Sequence, residues 1–337
     1  MDIGRRDFFK VLSAGALTVA ASGTAEAREA HKLSDEAVGI LYDSTLCIGC
    51  KACEVACKRE NNMPTEHGTP MEKAKGVYGT WDSGGDLNSK TLNKIKAYRD
   101  GTADVKDREE NGFAFMKRAC MHCVDAACVS ACPATALTKT EGNGIVKWNA
   151  DACIGCRYCQ VACPFNIPKF EWDEAIPEIV KCQLCDHKIL DKEGNYAEGQ
   201  LPGCTEFCPT GASLFGKTTD LLIEARRRLT LKAGENYEFP VKSLYSGEKA
   251  IHTAAEYRKE IYGENDGGGT QNLYLAAVPF SKLGLPALDQ DPTARKSETL
   301  QHTLYKGMIG PIVLLGGLLT AAYKSSKDID AAEGGEE

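Results

Sequence analysis

Residues 153–164 read C-I-G-C-R-Y-C-Q-V-A-C-P. The spacing is C-x2-C-x2-C-x3-C-P, the bacterial run that holds [4Fe–4S] clusters. Its fourth cysteine serves a different cluster from the first three. Closely spaced thiolates on a tight loop can meet three irons of one cube. The fourth, followed by proline, points away along a new direction. One such run therefore implies a second facing it.

Three more groups are present. Cys47, Cys50, Cys53 and Cys57 repeat C-x2-C-x2-C-x3-C, with Lys58 where the proline would stand. Cys120, Cys123, Cys128 and Cys132 read C-x2-C-x4-C-x3-C before Pro133. Cys182, Cys185, Cys204 and Cys208 read C-x2-C-x18-C-x3-C before Pro209. With Cys153, Cys156, Cys159 and Cys163 these groups use all 16 cysteines of the 337-residue chain. At four thiolates per cube they provide for four [4Fe–4S] clusters. A disulfide framework suits short secreted chains that lack a core. Zinc also takes four cysteines, but the repeated x2, x2, x3 spacing with Cys-Pro is not a zinc-ribbon pattern.

The alternating rule also assigns the ligands. A short hairpin separates the second and third groups, so these two exchange their last cysteines. One cube then takes Cys120, Cys123, Cys128 and Cys163; its neighbour takes Cys153, Cys156, Cys159 and Cys132. By elimination the first and fourth groups pair across the chain. Those cubes take Cys47, Cys50, Cys53 and Cys208, and Cys182, Cys185, Cys204 and Cys57.

Composition adds little. Hydrophobic residues make up 43% and charged residues 26%, and 40 basic against 47 acidic residues leave a net charge of −7. No basic patch asks for nucleic acid. The N-terminus is more informative. Arg5-Arg6, followed by Phe8 and Lys10, resembles a twin-arginine export signal. A weakly apolar run, Val11 to Ala21, and the small-x-small site Ala25-Glu26-Ala27 follow. Export of a folded, loaded protein would keep its thiols on iron in an oxidising compartment.

Along the rest of the chain, Ile40-Leu41-Tyr42 reads as a strand entering the first cysteine group, and Phe113 to Lys117 as one entering the second. Residues 58–119 form a polar insertion with Tyr78 and Trp81 as candidate anchors. Ala136–Thr138 and Ile145–Trp148 flank the turn Glu141-Gly142-Asn143-Gly144. Gly211 to Thr218 matches a phosphate-loop expression, but Ala212 to Phe215 is itself a strand pattern, so the context for nucleotide binding is missing. A helix is predicted over 219–233, with Leu221, Leu222, Ala225 and Leu229 on one face and Gly234 ending it. Gly267–Gly269 make a turn before a strand at Asn272 to Val278. His122, inside the second group, is read as a structural histidine that could also reach a cluster sulfur. Gly307 to Tyr323 carries no charge over 17 residues, bracketed by Lys306 and Lys324. It sits at the short end of the membrane-spanning range. Tyr305 and Tyr323 stand where interfacial aromatics belong.

No open metal site, nucleophilic triad or nucleotide fingerprint remains, so the pattern is that of an electron wire. Taken together, the groups resemble the four-cluster electron-transfer subunits of membrane-bound respiratory oxidoreductases. The stretches L-Y-D-S-T-L-C-I-G-C (41–50), C-M-H-C-V-D (120–125), G-C-R-Y-C (155–159), L-P-G-C (201–204), G-G-G-T-Q (267–271) and 297–308 are similar to the iron–sulfur subunits of [NiFe] hydrogenase-2 systems. The resemblance implies partners: the small and large subunits of a [NiFe] hydrogenase, and a quinone-linked integral membrane subunit. It implies a non-catalytic role and a place on the periplasmic face of the inner membrane. An electron-transfer subunit of a formate dehydrogenase or other molybdenum oxidoreductase is the rival within the class. A stand-alone reductase is the rival outside it.

The fold class expected is α+β, with two ferredoxin-like units of two clusters each and a C-terminal transmembrane helix. The boundaries expected are a signal at 1–27, unit one at 40–60 with 178–235, an insertion at 61–112, unit two at 113–177, an extension at 236–302, the membrane helix at 303–324 and a cytoplasmic tail at 325–337.

Overall fold

Val38–Asp43 (V-G-I-L-Y-D) forms strand β1 and is buried along its whole length. An apolar run without alternation asks for cover on both faces, and the fold provides it. β1 is the middle of a three-stranded sheet. Antiparallel to it runs β9 (Ser213–Lys217), with Ile40 opposite Phe215; parallel to it runs β12 (Leu273–Leu275), with Leu41 opposite Leu273. The sheet thus gathers segments from the start, middle and end of the chain. The computed structural model describes residues 29–64, 86–295, 297–299, 315–320 and 322–323. Residues 30–294 make one body. The architecture is α+β, with short helices hung between small sheets.

Both strands expected ahead of the first two cysteine groups are present, as β1 and β4 (Gly112–Arg118). The insertion is more than loop. Its β2 (Lys94–Arg99) pairs antiparallel with β4, and β3 (Val105–Lys106) pairs parallel with it. This strand could not be read from sequence because K-I-K-A-Y-R shows no apolar alternation: its two buried residues are the neighbours Lys94 and Ile95. Tyr78 and Trp81 lie outside the described residues. The hairpin between the second and third groups is β5 (Leu137–Lys139) and β6 (Val146–Trp148), with Gly142 and Gly144 at φ 77° and 69° in its turn.

Within Gly211–Thr218, Ser213–Lys217 is β9 and runs extended, with the Lys217 ammonium 2.8 Å from Glu36. The following helix, here α6, spans Thr218–Leu229 and stops short of the predicted 233. Thr230 ends it, its hydroxyl donating to the Arg227 carbonyl at 2.7 Å. Leu221 and Ala225 are fully buried against β1 and β12 residues Leu41, Leu273 and Leu275. Late arginines on a helix ordinarily face solvent and its dipole, yet Arg228 is fully buried. It pairs with Asp43 and Glu224, each at 2.8 Å, and lies over the Phe239 ring. Asp43 also accepts from the Thr45 hydroxyl at 2.6 Å and the Tyr257 hydroxyl at 2.7 Å. This network pins the loop that leads from β1 into Cys47.

The C-terminal extension is part of the core. Gln271 donates to the carbonyls of Val38 (2.6 Å) and Asn143 (2.9 Å). Asn272 accepts from the Ile40 N–H at 2.8 Å and donates to the Cys120 carbonyl at 2.6 Å. Two buried amides thereby bolt the first cysteine segment to the second. Residues 315–320 and 322–323 are helical, but among the described residues no helix is long and apolar enough to cross a membrane. Most of the apolar run at 307–323, and the export motif at 1–27, lie outside the described residues.

Candidate metal centres

The four cysteine loops share one backbone device. The residue just before the second cysteine is left-handed in each: Gly49 (φ 68°), His122 (47°), Gly155 (65°) and Leu184 (59°). In the first and third loops Lys51 and Arg157 are left-handed too, and each starts a helix, α1 (Ala52–Glu60) and α3 (Tyr158–Ala162). Such turns point successive N–H groups into a concavity that favours anions. The Gly49 N–H donates to Cys47 Sγ at 3.4 Å, and the Leu184 N–H to Cys182 Sγ at 3.3 Å, at equivalent places in their loops. The Ser213 N–H donates to Cys208 Sγ at 3.4 Å. Asn61 reaches Cys57 Sγ at 3.7 Å and Cys185 Sγ at 4.0 Å.

Packing gathers the thiols across groups. One small cavity is lined by Cys47, Cys50, Cys53 and Cys208, a second by Cys153, Cys156, Cys159 and Cys132. Burial pushes the Cys123 thiol up, and the thiols that raise it further are Cys163, Cys120 and Cys128. Burial likewise raises Cys57, with Cys182, Cys204 and Cys185 adding to it. Each gathering draws one thiol from a distant group. They also neighbour one another. Cys53, raised by burial, feels Cys204; Cys182, pushed up to about 12 by burial, feels Cys120; Cys128, also pushed up to about 12 by burial, feels Cys159. The four gatherings therefore form a series from Cys47/50/53/208, through Cys57/182/185/204 and Cys120/123/128/163, to Cys132/153/156/159. Cys50 and Cys156, in its two end members, are exposed. Around them stand exposed Ile48 and Val55 at one end, and Ile154, Tyr158 and Val161 at the other.

These surroundings fit iron–sulfur cubes. The donors are four soft thiols per site, the type that selects such clusters. Backbone N–H groups aim at sulfur. Among the described residues no three Cys, His, Asp or Glu side chains converge closely enough for a single ion. A cube presents four irons, each asking for one thiolate, so its ligands surround a volume rather than a point. Buried thiols with raised pKa values must lose protons to bind metal, and the site supplies positive charge to offset the resulting anion.

That charge comes from lysines the sequence reading passed over. Lys117, Lys139 and Lys181 all point inward. Lys139 donates to the carbonyls of Cys123 (3.0 Å) and Gly144 (2.6 Å) and to Gln271 Oε1 (2.8 Å). Lys181 donates to the carbonyls of Val146 and Cys182. Lys117 is treated below. The available signal was a lysine at the end of an apolar run: Lys117 after F-A-F-M, Lys139 after A-L-T, and Lys181 after I-V and directly before Cys182. His122 Nδ1 accepts from the Val146 N–H at 3.1 Å, which puts its proton on Nε2, and Nε2 has no protein partner among the described residues. Burial holds this imidazole well below the usual histidine range. A separate cavity of about 380 Å³, lined by His31, Lys139, Glu141 and Gln271 among others, contains no thiol.

Loop geometry, thiol gathering and fold define an α+β iron–sulfur protein, and the 4Fe-4S dicluster domain family matches residues 112–218. Over 337 residues the chain is 43% identical to the hydrogenase-2 operon protein HybA of Escherichia coli O157:H7, covering 99% of each chain. It is 31% identical to the iron–sulfur subunit of the nitrate-inducible formate dehydrogenase of Escherichia coli K12, covering 85% of this chain and 82% of that one. It is 30% identical to the formate dehydrogenase iron–sulfur subunit of Haemophilus influenzae, covering 94% and 86%. The chain belongs to the HybA-like family of iron–sulfur subunits, which transfer electrons and do not themselves catalyse.

Proposed function

We propose that this chain is a four-cluster wire between a [NiFe] hydrogenase and a quinone-linked integral membrane subunit. The sixteen cysteines serve as ligands in the four gatherings described above. The clusters, when bound, supply one-electron carriers with potentials set by hydrogen bonds, charge and exposure. The protein's part is to hold the thiols, to exclude water from the two inner sites, and to aim N–H donors and ammonium groups at sulfur. The observation that carries the reading is the series itself: four thiol sets, each neighbouring the next, with exposed cysteines only in the end sets. Electrons could then enter at one end and leave at the other. The likeness to HybA along almost the whole chain supports a hydrogenase partner over a formate dehydrogenase.

The same reading places the protein on the periplasmic face. The twin arginines at 5–6 direct export of the loaded protein, and residues 303–324 anchor it as a single helix. The test is purification of the membrane complex under anaerobic conditions. About sixteen irons and sixteen sulfides per chain are expected, four of each per cube, together with the large and small hydrogenase subunits. Stoichiometric zinc, or half the iron, would refute the four clusters. A molybdenum subunit in place of the hydrogenase would redirect the partner. Activity of the isolated chain on a substrate would replace the wire with a reductase.

A further inference from the structure

Lys117 ends the apolar run of β4, and its side chain is only 2% exposed. Its Nζ donates to Ser213 Oγ at 3.2 Å, and the Ser213 N–H in turn donates to Cys208 Sγ at 3.4 Å. No carboxylate pairs with it among the described residues. The groups whose charge favours its ammonium are Cys204, Cys53 and Tyr274. A buried, unpaired ammonium is costly, because desolvation is repaid only by a close countercharge. Here the countercharges belong to two different thiol sets. Cys53 stands in the Cys47/50/53/208 set and Cys204 in the Cys57/182/185/204 set. Lys139 and Lys181 sit by the other half of the series, where Cys128 and Cys123 feel them.

We propose that the Lys117 ammonium is the shared countercharge of two neighbouring clusters and raises the reduction potential of both. This rests on the four-cluster reading. Reduction adds one negative charge to a cluster, so a fixed positive charge beside it favours the reduced form. Because one ammonium serves both sites, the electron on either is stabilised and the step between them stays nearly level. Nothing in this requires Lys117 to change protonation.

The experiment compares wild-type complex with Lys117→Met and Lys117→Arg by iron and sulfide content and by redox titration followed by electron paramagnetic resonance. In Lys117→Met, two of the four clusters should become about tenfold harder to reduce, about 59 mV for a one-electron couple. The other two should not move, and Lys117→Arg should recover most of the shift. Iron lost from two clusters in Lys117→Met but kept in Lys117→Arg would support the same role, since the charge would then be needed to hold the anions. Unmoved potentials in a fully loaded Lys117→Met would overturn the proposal, as would equal loss in both variants, which marks a role of shape alone. Iron and sulfide content of the wild type reports separately on the four-cluster reading, so the two can fail independently.

Discussion

Left-handed residues decide whether the cysteine loops can form. Gly49 and Gly155 adopt this backbone without strain, whereas His122 and Leu184 hold it against their own Cβ. The two non-glycine loops persist because their side chains are wedged elsewhere: Leu184 is in the core and His122 is held by the Val146 N–H. Gly155 has no such freedom to accept a side chain. An added Cβ would stand 3.0 Å from the Pro177 carbonyl. Gly155→Ala should therefore cost about 1–2 kcal/mol from backbone strain alone. On heating, the variant should lose cluster absorbance at a lower temperature than wild type. An unchanged profile would mean the loop relaxes into another turn.

Helix α6 and strand β12 carry the most consequential packing. Arg228 is buried between Asp43 and Glu224, so truncating it leaves the buried Asp43 carboxylate without its countercharge, while Glu224 keeps Arg227. Burial would raise the Glu224 carboxyl, but Arg227 and Arg228 outweigh burial and hold it below the usual range. Breaking a buried pair from one side typically costs about 3–5 kcal/mol. Arg228→Ala should lower stability by that order, and the Cys47 loop, tied to Asp43, should become the first site of proteolysis. On β12, Asn272 satisfies one backbone donor on Ile40 and one acceptor on Cys120. Asn272→Ala should cost about 1–3 kcal/mol for each buried group left unpaired. Hydrogen exchange should show faster exchange of the Ile40 amide, while amides in the β5–β6 hairpin keep their protection.

In the molecule as a whole, segments far apart in sequence share each thiol set. α1 packs on the short helix at Gly203–Glu206, and the short helix at Ala127–Ser130 packs on α3. The first contact joins the first cysteine group to the fourth, and the second joins the second to the third. Cys163→Ser should accordingly perturb the cluster ligated by Cys120, Cys123 and Cys128, although Cys163 belongs to the third group. A spectroscopic assignment of Cys163 to the cluster of Cys153 would overturn that pairing. Export and anchoring are testable separately. Arg5→Lys with Arg6→Lys should strand the protein in the cytoplasm. Removal of residues 307–337 in a strain lacking the partner subunits should release it from washed membranes. Periplasmic protein in the first case, or membrane-bound protein in the second, would refute the reading concerned.

Spacing and composition carried much of this. Cysteine spacing is local chemistry: three thiols within seven residues can meet one cube only through a tight loop, so the metal type was legible at Cys47 and Cys153. The apolar runs at Ile40, Phe113 and Ile145 announced their strands because a buried strand has no polar face to disguise it. Other features depend on contacts between distant segments, which no local pattern encodes. K-I-K-A-Y-R became a strand because β4 offered it an edge. Arg228 went inside because Asp43, some 185 positions away, waited there to pair with it. Gln271 and Asn272 became bolts between halves only once β12 lay beside β1. Lys117 reads in sequence as the polar end of a strand; folding buried it with its ammonium on Ser213, beside the cysteine loops, and burial turned an ordinary lysine into a countercharge.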